Sequence, residues 1–146
     1  MYPKDGLCDY IYYTYVVVAY GRIRASTVKR SWTLFQARAK TYKTTGPGIS
    51  FDARYLTTVQ LRNRTVQEQL KKLAEDNIKH YGLLNTIAQD SNLEKMLREV
   101  WAVVEELKNI QNNSTSRKVI IALGMPDYSS GASWDSYGKL LKKTVE

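Results

Sequence analysis

The stretch CDYIYYTYVVVAYG, residues 8–21, decides the fold class of this chain. Its residues are β-branched or aromatic almost throughout, and they place apolar side chains on both faces of the strand that they predict. A strand with two apolar faces is typical of a parallel sheet that is covered on both sides. Simple alternation puts Tyr13 and Tyr15 on the same face. The tyrosines could form an aromatic platform for a sugar or a base, but we expect packing within the sheet to explain most of them.

Strands and helices alternate downstream of this first strand. Apolar residues at steps of three and four predict amphipathic helices, with capping boxes that begin at Thr65 and Ser91 and a candidate N-cap at Ser31. The sequence GPG at residues 46–48 predicts a turn. The predicted helices cover residues 24–43, 65–77, 91–111 and 132–146, and the later strands cover residues 49–51, 78–86 and 119–123.

This order predicts an α/β fold in which four consecutive βα units form a parallel sheet, an arrangement that resembles part of a TIM (βα)8 barrel. A length of 146 residues fits one α/β domain, residues 1–146. A full barrel needs eight strands, so the sequence predicts either a fragment of a barrel or a smaller open α/β domain. An incomplete barrel has two open strand edges, through which the chain can self-associate.

The composition is that of a globular protein with an excess of positive charge. Hydrophobic residues make up 43% of the chain and charged residues 25%, which excludes a disordered chain. The net charge is +8, but the basic residues are scattered and follow no zinc-finger, RNA-binding or helix-turn-helix pattern, which disfavours nucleic acid as a partner. No apolar run approaches the roughly 18 residues of a membrane span, so none is predicted.

Cysteine and histidine are scarce. Cys8 is the only cysteine, which excludes an internal disulfide and a cysteine zinc site. His80 is the only histidine, and it begins a predicted strand, at the opposite end from a barrel active site. We therefore expect no catalytic triad, no metal site and no cofactor.

Three Asn-X-Ser/Thr triplets predict N-glycosylation at Asn63, Asn112 and Asn113, in loops that flank helices. Glycosylation favours a secreted, extracellular protein. The first nine residues, MYPKDGLCD, lack the basic start and the apolar core of a signal peptide. The expectation is therefore a secreted protein whose beginning is missing, with a cytoplasmic protein as the alternative.

Polar and aromatic residues follow the predicted strands at their carboxyl ends, where α/β sheets and barrels bind their ligands. Aromatic faces stack on sugar rings, and polar tips bond to hydroxyl groups. Aspartate is also a common turn residue, so its position alone does not imply catalysis. The candidate ligand-binding residues are Tyr13, Tyr15, Asp52, Asn85, Thr86 and Asp127.

Four segments resemble, in order and spacing, consecutive strands of the chitinase-like proteins of glycoside hydrolase family 18. They are LCDYIYYTYVVVAYGRI, in which a Cys opens an aromatic strand that leads into a small hairpin, then GISFDARY, HYGLLNTIAQ and RKVIIALGM. The segment Gly6 to Asp9 also resembles the Gly-Leu-Cys-Asp opening of divergent, secreted chitinase-like proteins of arthropods. The resemblance implies a TIM barrel, secretion and carbohydrate binding.

The third segment, HYGLLNTIAQ, departs from the family at its catalytic positions. In active members this strand carries three aspartates and a glutamate that acts as the general acid. Aligned on Gly82, the three aspartates correspond to Tyr81, Leu84 and Thr86, and the glutamate corresponds to Ala88. Since Ala88 supplies no proton, the resemblance implies a site without catalytic activity. The same residues also fit an ordinary buried strand with no catalytic ancestry.

Three functions follow from these observations. The first is a catalytically inactive, chitinase-like domain that binds a glycan, such as a chito-oligosaccharide, or a protein partner. The alternative is an active glycoside hydrolase that uses Asp52 or Asp127 together with Asp90 as its paired carboxylates. A second alternative is a basic module that binds nucleic acid or an anionic polysaccharide.

Overall fold

The computed structural model of this protein describes residues 2–25, 29–87 and 93–124, together with residues 138, 139 and 142. Its described part is a mixed α/β structure with one five-stranded, mostly parallel sheet and four helices, which confirms the predicted fold class. The strands are β1 (Tyr10–Ala19), β2 (Arg22–Arg24), β3 (Gly46–Phe51), β4 (His80–Ile87) and β5 (Val119–Gly124), and the helices are α1 (Lys29–Ala39), α2 (Thr58–Arg62), α3 (Arg64–Glu75) and α4 (Leu93–Ile110).

The strands follow one another across the sheet in the order β2-β1-β3-β4-β5. Four of these strands run parallel, namely β1, β3, β4 and β5. In this order, each of them lies beside the next parallel strand of the chain. Right-handed crossovers in one direction place all helices on the same face of such a sheet. Accordingly, one hydrophobic cluster joins the sheet to all four helices, through residues such as Phe35, Leu61, Leu70 and Val104. Barrels share this arrangement, but the (βα)8 barrel itself stays a prediction.

The hairpin that the family resemblance implied follows β1. Tyr20 and Gly21 form its turn, both with positive φ (51° and 69°), and β2 returns antiparallel to β1. Glycine accepts this backbone conformation without a steric cost. The side chain of Gln69, on α3, accepts a hydrogen bond from the Ile23 N–H at 3.0 Å and donates one to the Gly21 carbonyl at 3.1 Å, which ties the hairpin to the helix layer.

A register shift in β1 changes which tyrosines are buried. Thr14 pairs with Ser50 and Val16 pairs with Phe51, so Tyr15 is an extra residue without a partner on β3. Tyr13 points into the helix-facing core, whereas Tyr15 is 41% exposed. The prediction that Tyr13 and Tyr15 share one face is therefore wrong, because strict alternation fails at a bulge.

The predicted turn at residues 46–48 is also wrong. Gly46 to Gly48 form the first half of β3 and pair with β1. The ring of Tyr12 crosses this face of the sheet so closely that a Cβ on Gly48 would lie 2.6 Å from Tyr12 Cε1 and 2.6 Å from the His80 carbonyl oxygen. Glycine is needed here for a close approach, and a turn is not.

Helix starts differ from the predictions in three places. α3 begins at Arg64 because Asn63 is its N-cap, with Oδ1 accepting a hydrogen bond from the Thr65 N–H at 2.9 Å. Ser31 lies inside α1 rather than before it. The short helix α2, with a capping box at Thr57, has no counterpart among the predicted elements. Ser91 lies outside the described ranges. Of the predicted helix over residues 132–146, only residues 138, 139 and 142 are described, and they are helical.

Three further observations concern the predicted glycosylation sites, the membrane and self-association. Asn63, Asn112 and Asn113, the predicted glycosylation sites, are exposed. Within the described ranges, no helix is long and apolar enough to cross a membrane. In the same part of the chain β5 pairs with β4 alone, and self-association through an open strand edge stays a prediction.

Candidate functional site

The carboxyl ends of β3 and β4 bring three polar side chains together. Asp52, directly after β3, is 6% exposed, and its carboxylate accepts hydrogen bonds from the side chains of Arg54 and Asn85. Arg54 donates to it from Nε (3.0 Å) and from Nη2 (2.7 Å), and Asn85 donates from Nδ2 (2.9 Å). The Arg54 backbone N–H adds a fourth bond to the Asp52 carboxylate at 3.1 Å. The two-pronged contact with the guanidinium is the strong, geometrically specific form of a charged hydrogen bond.

This geometry fixes the charge of Asp52. The hydrogen bonds from the Arg54 side chain lower the pKa of the Asp52 carboxyl to about 2, and the hydrogen bond from Asn85 lowers it further. Burial of Asp52 acts in the opposite direction and is outweighed. In turn, Asp52 raises the pKa of the Arg54 guanidinium. Asp52 is therefore an anion at neutral pH with no proton to give. Its role is to hold Arg54 and Asn85 in place.

A bulge in β4 aims Asn85 at this network. The register with β5 shifts between Leu83 and Thr86, and the Leu84 N–H finds a partner in Ser50 Oγ at 3.1 Å. Asn85 Oδ1 accepts a hydrogen bond from the Ala53 N–H at 2.9 Å. The amide of Asn85 is thus held at both of its ends, one by the β3–α2 loop and one by Asp52.

An open cleft of about 500 Å³ lies beside the network. Tyr15, Arg54, Asn85 and Ile87 line it. Tyr15 and Ile87 are 41% and 65% exposed, so an aromatic ring and an aliphatic chain both face solvent there. Together with the guanidinium and the amide, they form a mixed apolar and polar surface, of the kind that binds small polar ligands.

A second cleft, of about 390 Å³, adjoins the first across Arg54. It lies between the β3–α2 loop and α4, and Leu83, Met96 and Val100 supply its apolar lining. Arg54 borders both clefts, so a ligand that is too long for the first cleft can extend along the second cleft.

The structure brings Tyr15, Asp52 and Asn85 together at this edge, as the sequence predicted. Tyr13 is wrong as a ligand contact, because its ring packs against Trp32 at 5.0 Å and its hydroxyl bonds to Ser31 Oγ at 2.8 Å within the helix-facing layer. Thr86 is wrong for the same reason of access: it is 3% exposed, and its hydroxyl is directed at the Leu83 carbonyl.

Sequence reasoning missed Arg54 and Ile87 as site residues. The signal for Arg54 was present, since a basic residue two positions after a strand-terminal aspartate can fold back onto its carboxylate. Ile87 carried no signal, because a bulge decides its exposure. Asp90 and Asp127, the other proposed carboxylates, and Ala88 lie outside the described residues.

The opposite end of the sheet holds His80, at the start of β4 as predicted. Its Nδ1 accepts a hydrogen bond from the Lys118 N–H at 3.0 Å, and burial, with the positive charges of Lys79, Lys118 and Arg117, lowers its pKa. The imidazole is neutral at pH 7 and ties β4 to the loop before β5. Within the described ranges, no three His, Cys, Asp or Glu side chains are grouped as a metal site requires.

Comparison of this chain with models of protein families, with curated proteins and with solved structures found no match.

Proposed function

We propose that this chain is a non-catalytic domain, related to the chitinase-like proteins of glycoside hydrolase family 18, that binds a glycan at the carboxyl edge of its sheet. The state of Asp52 carries the proposal. Glycoside hydrolysis requires a carboxylic acid that still holds its proton near neutral pH and passes it to the leaving oxygen. Asp52 holds no proton near neutral pH, because Arg54 and Asn85 stabilise its anion. A fixed anion that positions donors suits binding rather than proton transfer.

The surface of the cleft supports a glycan as the ligand. The exposed ring of Tyr15 offers a stacking face for a sugar, and Asn85 and Arg54 offer polar groups for hydroxyl and acetamido oxygens. The chito-oligosaccharide class rests on the resemblance of the strands to the chitinase-like family. The sequential order of the parallel strands supports the same relationship, because neighbouring strands of a (βα)8 barrel follow one another in the chain.

Secretion belongs to the same proposal. Asn63, Asn112 and Asn113 are all exposed, as N-glycosylation acceptors must be. Expression through a secretory pathway should yield protein whose mass falls on treatment with an N-glycosidase. An unchanged mass for protein recovered from the medium would remove this support for secretion.

A calorimetric titration with tri-N-acetylchitotriose tests the binding proposal. Wild-type protein should bind the sugar, and Tyr15→Ala should weaken the affinity by about two- to tenfold, since a lost aromatic stacking contact costs on the order of 0.5–1.5 kcal/mol. Tyr20→Ala is the matched control, because Tyr20 is 96% exposed in the β1–β2 turn and does not line the cleft. Equal affinity of all three proteins, or no binding, would reject the proposal.

Salt separates this proposal from the alternative of a basic binding module. Binding of a neutral chito-oligosaccharide should change little between 50 and 200 mM salt. Binding to nucleic acid or an anionic polysaccharide falls steeply over that range, because released counterions drive it.

A further inference from the structure

A third cleft lies at the other end of the parallel strands from Asp52, between α3 and α4 on the helix-covered face. Its volume is about 620 Å³, within the range of about 300–1,000 Å³ that small-molecule sites occupy. Leu70 and Ala74 on α3 face Ile110 on α4 across it, and Tyr81 of β4 lies between them. Because Tyr81 follows the first residue of β4, the cleft lies towards the amino ends of the parallel strands.

Tyr81 is an unusual residue for the floor of a cleft. It is 3% exposed, its ring lies 6.1 Å from that of Phe51, and its hydroxyl forms no hydrogen bond with any described residue. The hydroxyl is nevertheless not enclosed by protein atoms. Burial raises the pKa of Tyr81 to about 12, so the phenol is a neutral hydrogen-bond donor at physiological pH. Buried tyrosine hydroxyls ordinarily have a partner, and here a ligand or solvent in the cleft must supply it.

The charges around the cleft favour an anion. Four charged residues line it: Lys71, Glu75, Glu106 and Arg117. Glu106 accepts a hydrogen bond from Arg62 Nε at 3.0 Å and is neutralised by that ion pair. The ion pairs among the described residues involve none of Lys71, Glu75 and Arg117, which leaves two cations and one carboxylate. Arg117 is close enough to act on Tyr81, since its positive charge lowers the pKa of the phenol against the effect of burial.

The helix ends beside the cleft do not cancel these charges. α3 and α4 both end near it, and the last carbonyls of a helix carry partial negative charge. Here most of those carbonyls are already occupied: Ile78 N–H donates to Leu73, Asp76 to Lys72 and Asn113 to Lys108. The cleft therefore offers an anion two side-chain cations and few free carbonyl oxygens.

We propose that the α3–α4 cleft binds a small amphipathic carboxylate. Its anionic head accepts hydrogen bonds from the Tyr81 hydroxyl and from Arg117 or Lys71, and its apolar body lies against Leu70, Ala74 and Ile110. This site is independent of the glycan site in location and in chemistry.

Titration with 2-naphthoate tests the proposal, with the neutral alcohol 2-naphthalenemethanol as the matched ligand. Wild-type protein should bind the carboxylate at least tenfold more tightly than the alcohol, and the shifted amide resonances should lie in α3, α4 and the start of β4. Equal binding of both probes, or shifts at other positions only, would overturn the proposal.

Two substitutions assign the head group. Tyr81→Phe removes only the unpartnered hydroxyl and leaves the ring, so the fold should persist while the affinity for 2-naphthoate falls by about three- to tenfold. Lys71→Gln should weaken binding similarly, whereas Lys72→Gln, its exposed neighbour outside the cleft, should not. Unchanged affinity in both Tyr81→Phe and Lys71→Gln would overturn the assignment. Tyr15→Ala should bind 2-naphthoate like wild type, so failure of the glycan proposal leaves this test intact.

Discussion

At the scale of single residues, Asp52 links the site to stability. Its pKa falls from 3.8 to about 2 on folding, so the stability that its anion contributes is complete above pH 4 and is lost as the pH falls towards 2. Asp52→Asn should lower the free energy of unfolding by about 1–2 kcal/mol at pH 7, since Arg54, its main partner, is largely exposed. Urea denaturation of both proteins between pH 7 and pH 2 measures the difference.

That difference should shrink to a small fraction of its value by pH 2, where about half of the folded Asp52 is protonated. Backbone N–H groups of Thr45 and Lys43 also lower the pKa of Asp5 to about 2. Protonation of Asp5 therefore destabilises both proteins equally over the same pH range. The comparison with Asp52→Asn therefore isolates Asp52. A difference that stays constant down to pH 2 would mean that the Asp52 charge contributes nothing.

Gly48 tests the packing of the sheet face opposite the helices. Gly48→Ala should destabilise the protein by about 1–3 kcal/mol, because the new Cβ would meet Tyr12 and the His80 carbonyl at 2.6 Å and backbone atoms yield little. Gly124→Ala is the control, since its Cβ would meet Ile87 and Thr86 only at 3.7 Å and should change stability by less than about 1 kcal/mol. Equal effects of the two substitutions on the urea midpoint would contradict this packing.

At the scale of elements, His80 connects β4 to the loop before β5. Its folded pKa lies below the ordinary 6.5, so the unfolded chain takes up a proton first and stability falls as the pH drops from about 6.5 towards the folded pKa. This loss begins at a higher pH than that of Asp52, whose ordinary pKa is 3.8. Because His80 is the only histidine, its ring resonances report the titration directly by NMR. A folded pKa at or above 6.5 would contradict the burial of the ring and its bond to Lys118.

The elements also show where local sequence is informative. Long apolar patterns predicted α4 and β5 closely, because periodic burial defines both. β3 was predicted too short, because Gly46, Pro47 and Gly48 are typical turn residues. In the fold these residues pair with β1, and Gly48 makes room for the ring of Tyr12, which is distant in the sequence. The N-cap of α3 was predicted two residues too late, at Thr65, because Asn63 and Thr65 are both good caps and only the fold selects between them.

At the scale of the whole molecule, the order of the parallel strands was predictable, and part of the candidate site was not. Repeated βα units imply a parallel sheet, and function at its carboxyl edge follows from that topology. The placement of Tyr15, Asp52 and Asn85 at one edge was predicted in this way. The shared face inferred for Tyr13 and Tyr15 was wrong because a bulge in β1 breaks the alternation, and the burial of Thr86 beside the bulge in β4 was not foreseen. Bulges depend on tertiary packing and leave little trace in a single sequence.

The central claim, that the Asp52 edge binds a glycan without cleaving it, is tested most directly by one NMR experiment on tri-N-acetylchitotriose mixed with the wild-type protein. Saturation of protein resonances should transfer to the sugar, and the anomeric signals should stay unchanged over a day of incubation at neutral pH. New reducing-end signals would mean that the protein is a glycoside hydrolase. Absence of saturation transfer, with the sugar intact, would mean that this edge of the sheet does not bind chito-oligosaccharides.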